Sequence, residues 1–346
     1  MKKQISRALA FTFLLSAGPA LAQAPDAPAA APDGAPAAAP AAAGRAGGRR
    51  GGGAPTPGGD NGPARTIWAA QKNGGTPYKL PNKPIWHIAD ILKAHKNQAR
   101  WEQKVVLTRD VDARYVQMAP GDKSKCQFYA DDRVWGWVYS GQVKVTIDGQ
   151  DPKVIGKGWA FNVAPRLAYC LETVGSDPVV FYRATPAGQL PSYPESETPT
   201  PVPGYTYVKG TTTSSGSYDA QNLPFFNVDE YGDSDKTGGR FLHDGHTCAN
   251  LNVGQPLTEL PPSTQWGHFH ENMVEFWVDV YGKLDVLISG IGLVEGSYGD
   301  VINANEGRWH RATAAPGGGK MIRLAQTPRC QPQFSVRQLG ATGGGE

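Results

Sequence analysis

Between Trp266 and His310 the chain sets three imidazoles and a carboxylate at spacings that suit a divalent metal. His268 and His270 stand two apart, so on a β-strand their rings share one face. Glu275 follows five residues after His270 and heads the apolar run Phe276-Trp277-Val278-Asp279-Val280-Tyr281, which reads as the next strand. A further alternating run, Lys283 to Ser289, leads through Gly290 and Gly299 to His310. Neutral imidazole and ionised carboxylate are donors that manganese, iron, nickel, copper and zinc accept. A His-x-His pair by itself is as readily a hydrogen-bonded piece of barrel wall, so the surrounding spacing has to separate the two readings.

That spacing resembles the cupin pattern. A glycine, His268, His270, Glu275 and the closing Gly282 match the first cupin motif, and Gly299, Gly307 and His310 match the second, with Asn305 standing where a proline is usual. The resemblance implies a double-stranded β-helix barrel that holds one divalent transition metal on His268, His270, Glu275 and His310. Manganese or iron is favoured, with copper, nickel and zinc as alternatives.

The elements that must position these donors occur twice. At an offset of 141 residues Gly141 falls on Gly282, Gly149 on Gly290 and Gly158 on Gly299, without a gap, and the alternating run Val143 to Asp148 falls on Leu284 to Ser289. A period of that length is one whole domain, so the chain resembles a bicupin, an all-β pair of jelly-roll barrels, with a short N-terminal helix expected over 87–100. At the same offset the first barrel carries Gln127, Tyr129, Val134 and Tyr169 at the four donor positions, and no strong ligand survives. Anchoring instead on Pro165 would bring Cys170 to the last of them.

The ends of the chain narrow the function classes. Of 346 residues, the first 22 have Lys2, Lys3 and Arg7, an apolar core and Ala20-Leu21-Ala22, the layout of a cleaved secretory signal. Residues 23–66 are almost wholly Ala, Pro and Gly and cannot bury enough apolar surface to order themselves. The net charge of +3, part of it in these segments, implies no nucleic-acid face. The expected organisation is a signal over 1–22, a tether over 23–66, a ligand-free barrel over 67–190, a connector over 191–240, a metal-binding barrel over 241–338 and a tail over 339–346. The chain is then periplasmic or secreted, without an integral membrane segment after cleavage, and acts as a monomer or small homo-oligomer. Within the connector, Phe225 to Val228 reads as a strand packed on one of the barrels.

Four cysteines, Cys126, Cys170, Cys248 and Cys330, allow three connectivities in an exported chain. The cupin resemblance, which makes the strands of Cys126 and Cys170 neighbours, implies that pairing and leaves Cys248 with Cys330. His243 and His246 flank a turn-like Asp244-Gly245 and are candidates to reach the metal pocket. Glu271 and Arg308 are the charged residues nearest the motifs: Glu271 suits a general acid or base, and Arg308 suits a clamp on a substrate carboxylate. Three functions follow for a small-molecule substrate: a metal-dependent oxidoreductase (dioxygenase or oxidase), a non-redox lyase, decarboxylase or isomerase, or a sugar or small-ligand binder with a structural metal. One fold carries all three.

Overall fold

Runs in which apolar residues alternate with polar ones become strands, and the glycines between them become the turns. The computed structural model describes residues 68–219, 222–232, 241–243, 247–260, 266–319, 321–328 and 334–337. In chain order, the first half comprises β1 (Ile85–Trp86), α1 (Ile88–Ala94), β2 (Trp101–Leu107), β3 (Val111–Met118), β4 (Val134–Ser140), β5 (Gln142–Ile147), β6 (Lys153–Gly156), β7 (Trp159–Val163), β8 (Tyr169–Thr173) and β9 (Val179–Pro186). The second comprises β10 (Phe225–Asn227), α2 (Asp229–Gly232), β11 (Phe241–His243), β12 (Thr247–Gly254), β13 (Trp266–Phe269), β14 (Glu275–Tyr281), β15 (Leu284–Ile288), β16 (Gly292–Glu295), β17 (Val301–Ala304), β18 (His310–Ala314), β19 (Met321–Pro328) and β20 (Phe334–Arg337).

Each barrel is made of two sheets. The first has the orders β10-β7-β4-β9-β3-β2 and β6-β5-β8, the second β1-β17-β14-β19-β12-β11 and β16-β15-β18-β13-β20. At the offset read from the glycines, β4 coincides with β14 and β8 with β18 from end to end. Gly141 and Gly282, which follow β4 and β14, have φ of 77° and 79°. A Cβ at Gly141 would strike the carbonyl of Pro178, so both conformation and space require glycine there.

Alternation along β4 and β14 buries both of their faces. Trp135 and Trp137 of β4 share one core with Phe276, Val278 and Val280 of β14, and this core joins the two barrels. Val134 and Val138 turn instead into the first barrel. Trp277 turns into the second, beside Leu284, Val286, Ile288 and Ile302. A fully buried side chain of this size contributes on the order of 1.5–3 kcal/mol, so the interface stabilises both halves. Tyr115 crosses it, its hydroxyl donating to the Gly299 carbonyl at 2.5 Å.

The strand pairing also exchanges segments. Phe225–Asn227 forms the expected strand and pairs with β7 of the first barrel, Phe225 opposite Phe161. Conversely β1, in what reads from sequence as an approach to the first barrel, pairs with β17 of the second, Ile85 opposite Ile302. Each barrel thus takes an edge strand from the segment that precedes the other. β20, which pairs with β13, is a further strand that no sequence signal announced.

The helix is shorter than its sequence pattern. It spans Ile88–Ala94 because its buried anchors are Ile88 and Ile91, and between Leu92 and Trp101 no large apolar residue continues the stripe. His95 then stacks on Trp101 at 4.7 Å and the chain enters β2. The N-cap His87 makes no side-chain cap bond, and Asp300 of the second barrel supplies it, its Oδ1 accepting from the Ile88 N–H at 2.9 Å. Cys126 and Cys170 form a disulfide with Cα atoms 4.4 Å apart. The expected signal, tether and tail, together with His246 and the Cys248–Cys330 pairing through Cys330, lie outside the described residues. Among those described, no helix is long and apolar enough to cross a membrane.

Candidate metal centre

Four elements bring the donors together. His268 lies in β13 directly opposite His310, the first residue of β18. Glu275 opens β14, opposite Ala304 of β17. His270 sits just past the end of β13, pinned by a hydrogen bond from the Gly307 N–H to its carbonyl at 2.7 Å. The glycine before His268 has a steric cause: a Cβ at Gly267 would meet the Trp309 ring and come within 2.6 Å of the His310 carbonyl.

The ligand atoms of His268, His270, Glu275 and His310 all lie within 4.8 Å of one another, and this is the one such group among the described residues. Each of the three Nε2 atoms stands 2.9 Å from Oε2 of Glu275. Metal–nitrogen and metal–oxygen bonds of about 2.1 Å at right angles put neighbouring donors about 3 Å apart, so the spacing is that of donors sharing one ion. The other carboxylate oxygen, Oε1, accepts from the Trp277 indole at 3.1 Å, which leaves Oε2 for the shared point.

The tautomer of His310 decides what that point must hold. Its Nδ1 is 2.9 Å from the Arg308 carbonyl, which can only accept, so Nδ1 carries the proton. Burial pushes the His310 imidazole down to about 4 against the opposing pull of Glu275. The ring is therefore neutral near pH 7, and its Nε2 lone pair faces a carboxylate oxygen. Burial alone would raise the Glu275 carboxyl, but the three imidazoles around it hold it well below the usual range. With Nδ1 protonated, two acceptors face each other 2.9 Å apart in a buried site, an arrangement that a cation between them would satisfy. The residues present therefore fit a divalent metal.

Solvent reaches the group from one side. The His268 side chain is 19% exposed and that of His310 1%. The two charged candidates stand apart from the donors: Glu271 is exposed, and neither it nor Arg308 makes a side-chain hydrogen bond to the four. Arg308 is buried, its Nη1 donates to the Ser289 carbonyl at 2.8 Å, and its guanidinium lies over the Tyr78 ring at 4.9 Å. Its contact with the centre is through the backbone carbonyl. His243 ends β11 opposite Cys248. Trp277, which the sequence places only in the apolar run after Glu275, has a role in the site that this run did not announce. Its place two positions after Glu275 on one strand was the available signal.

The first barrel keeps the frame without the donors. Gln127 pairs with Tyr169 as His268 pairs with His310, and its Nε2 lies 3.3 Å from the Tyr169 hydroxyl. Tyr129 is buried and its phenol is pushed up to about 12 by that burial. Val134 fills the position of Glu275. Cys170, the alternative ligand under a slipped register, is committed to the disulfide.

No protein-family model matches the sequence, and no curated protein matches it. Solved structures do. Salicylate 1,2-dioxygenase from Pseudoaminobacter salicylatoxidans, in a point-mutant form in complex with gentisate, superposes with a TM-score of 0.53 at 9% identity, over 78% of this chain and 88% of that one. The chain has the bicupin fold. Two further structures similar to this chain are a cupin 2 conserved barrel domain protein from Leptotrichia buccalis (TM-score 0.48, 9% identity, 71% and 96% of the two chains) and the Bacillus subtilis oxalate decarboxylase with its Mn(II) centers (0.44, 12%, 77% and 82%). At these identities the likeness is one of fold. The donor group lies in the C-terminal barrel.

Proposed function

We propose that this bicupin is an exported, metal-dependent oxidoreductase, a dioxygenase or oxidase, acting on a small organic molecule. The observation that carries the metal is the His310 Nε2 lone pair set against Oε2 of Glu275 at 2.9 Å, with Nε2 of His268 and of His270 at the same distance from that oxygen. His268, His270, Glu275 and His310 would hold one divalent ion, manganese or iron before copper, nickel or zinc. When bound, such an ion supplies Lewis acidity and, with manganese or iron, electron exchange with a bound substrate or dioxygen.

The chain's own residues do the rest. Trp277 orients the carboxylate through its indole N–H. The partly exposed edge at His268 is the approach for substrate, and Glu271, exposed beside His270, is the proton-carrying group of this reading. Arg308 is withdrawn from the role of substrate clamp, because its guanidinium is buried against Tyr78 and engaged with Ser289. An ion held by these four donors would have room for water or substrate beside them, which favours catalysis over a structural metal. Export into an oxidising compartment accords with the signal-like residues 1–22 and with the Cys126–Cys170 disulfide. The salicylate dioxygenase makes a small aromatic acid a natural first substrate class to test.

Elemental analysis of protein purified from its own cell envelope, followed by a dioxygen-uptake screen, tests this reading. Uptake is expected with manganese, iron or copper and not with zinc, which has no redox chemistry. Full turnover with zinc would transfer the site to a non-redox lyase, decarboxylase or isomerase. A ligand recovered unchanged would make the chain a binding protein.

A further inference from the structure

The turn that delivers His310 is held from outside its own barrel. Residues 71–84 lie ahead of the first barrel in sequence, yet they run along Asn303 to Arg308 of the second. Gln71 Nε2 donates to the Gly307 carbonyl at 3.1 Å, and Thr76 donates its N–H to the Glu306 carbonyl at 2.9 Å and its hydroxyl to Oε2 of Glu306 at 3.3 Å. The Tyr78 hydroxyl donates to the Asn303 carbonyl at 2.7 Å while its ring supports the Arg308 guanidinium. Asn303 in turn gives its N–H to the Pro84 carbonyl at 3.0 Å and its Nδ2 to the Lys83 carbonyl at 3.0 Å.

On the turn, Asn305 faces the middle of this strap. Its Nδ2 donates to the Pro77 carbonyl at 3.2 Å, and it occupies the position where the resembled motif has a proline. A proline stiffens a turn through its own ring. Here the stiffness comes from a second segment of chain, tied through an amide. Arg308, whose carbonyl fixes the His310 tautomer, is the last residue of the turn so held.

We infer that Thr76, Tyr78 and Asn305 are positioning residues of the metal centre: the strap sets the Arg308 carbonyl, and through it the His310 ring. This inference rests on the metal reading above. Groups one step removed from a metal commonly change affinity about 10–100-fold when lost. The strap also contacts the first barrel, but through a separate residue: Asn82 exchanges two hydrogen bonds of 2.8 Å with the Leu107 backbone. Asn82→Ala therefore removes the tie to the first barrel and leaves every contact between the strap and the His310 turn in place, and it serves as the control.

The test uses the full chain loaded with Co(II), whose visible spectrum reports its donor set, and measures the rate of metal loss to EDTA. Tyr78→Phe combined with Thr76→Val is expected to lose cobalt at least about 10-fold faster and to shift the spectrum, while Thr76→Ser and Asn82→Ala keep the wild-type rate and spectrum. Spectrum and rate unchanged in the double variant would overturn the inference, as would an equal acceleration in Asn82→Ala, since that is general loosening. Wild-type protein that takes up no cobalt would overturn the metal reading itself, and the inference with it.

Discussion

Trp277 donates its indole N–H to Oε1 of Glu275 across 3.1 Å, so that three imidazoles converge on the remaining oxygen, Oε2. The bond fixes which carboxylate oxygen is offered and keeps the group from rotating. Trp277→Phe keeps an aromatic ring and removes the donor. Metal affinity is expected to fall about 10–100-fold with little change in fold, measured by competition with a coloured chelator. An unchanged dissociation constant would show that packing alone orients Glu275.

Removal of a donor itself should cost more. His310→Ala is expected to lower metal affinity by at least about 100-fold while the circular dichroism spectrum persists, because strands and not the ion build the barrel. Tyr129→Ala, at the corresponding region of the first barrel, should leave metal content as it was. Full occupancy of the His310 variant, or a loss in the Tyr129 variant, would contradict the assignment of the site to one barrel.

Asp279 gives the protein a pH dependence separate from the metal. Burial, with a smaller contribution from Asp300 and Asp285, pushes its carboxyl up to about 8. In the unfolded chain the group ionises near pH 4. Between those values the folded state holds a proton that the unfolded state has released, so stability falls as pH rises from about 4 to about 8 and levels off above. Asp279→Asn should flatten that fall. Urea midpoints at about pH 5 and about pH 8.5 for both proteins would check it, and equal slopes would remove Asp279 as the cause.

The Cys126–Cys170 disulfide closes a loop with a sequence separation of 44. Chain entropy sets its contribution at up to about 4 kcal/mol. The Cys126→Ser, Cys170→Ser double variant should unfold at lower denaturant with metal content intact. Loss of metal in that variant would mean that the first barrel supports the centre more closely than the strap alone implies.

The donors were legible in sequence because their signals are local. Histidines two apart share a strand face whatever the fold around them, and glycines at positive φ mark turns in both halves at one offset. The absence of ligands at Gln127, Tyr129, Val134 and Tyr169 follows from the same count. Tertiary structure alone decided the exchanged edge strands, the capping of α1 by Asp300 and the strap on the His310 turn. Those contacts join residues far apart in the chain through single hydrogen bonds and short strands, as between Tyr78 and Asn303. Side-chain alternation tells a segment which face to bury but not which barrel will cover it. That choice is made only when the two sheets close on each other.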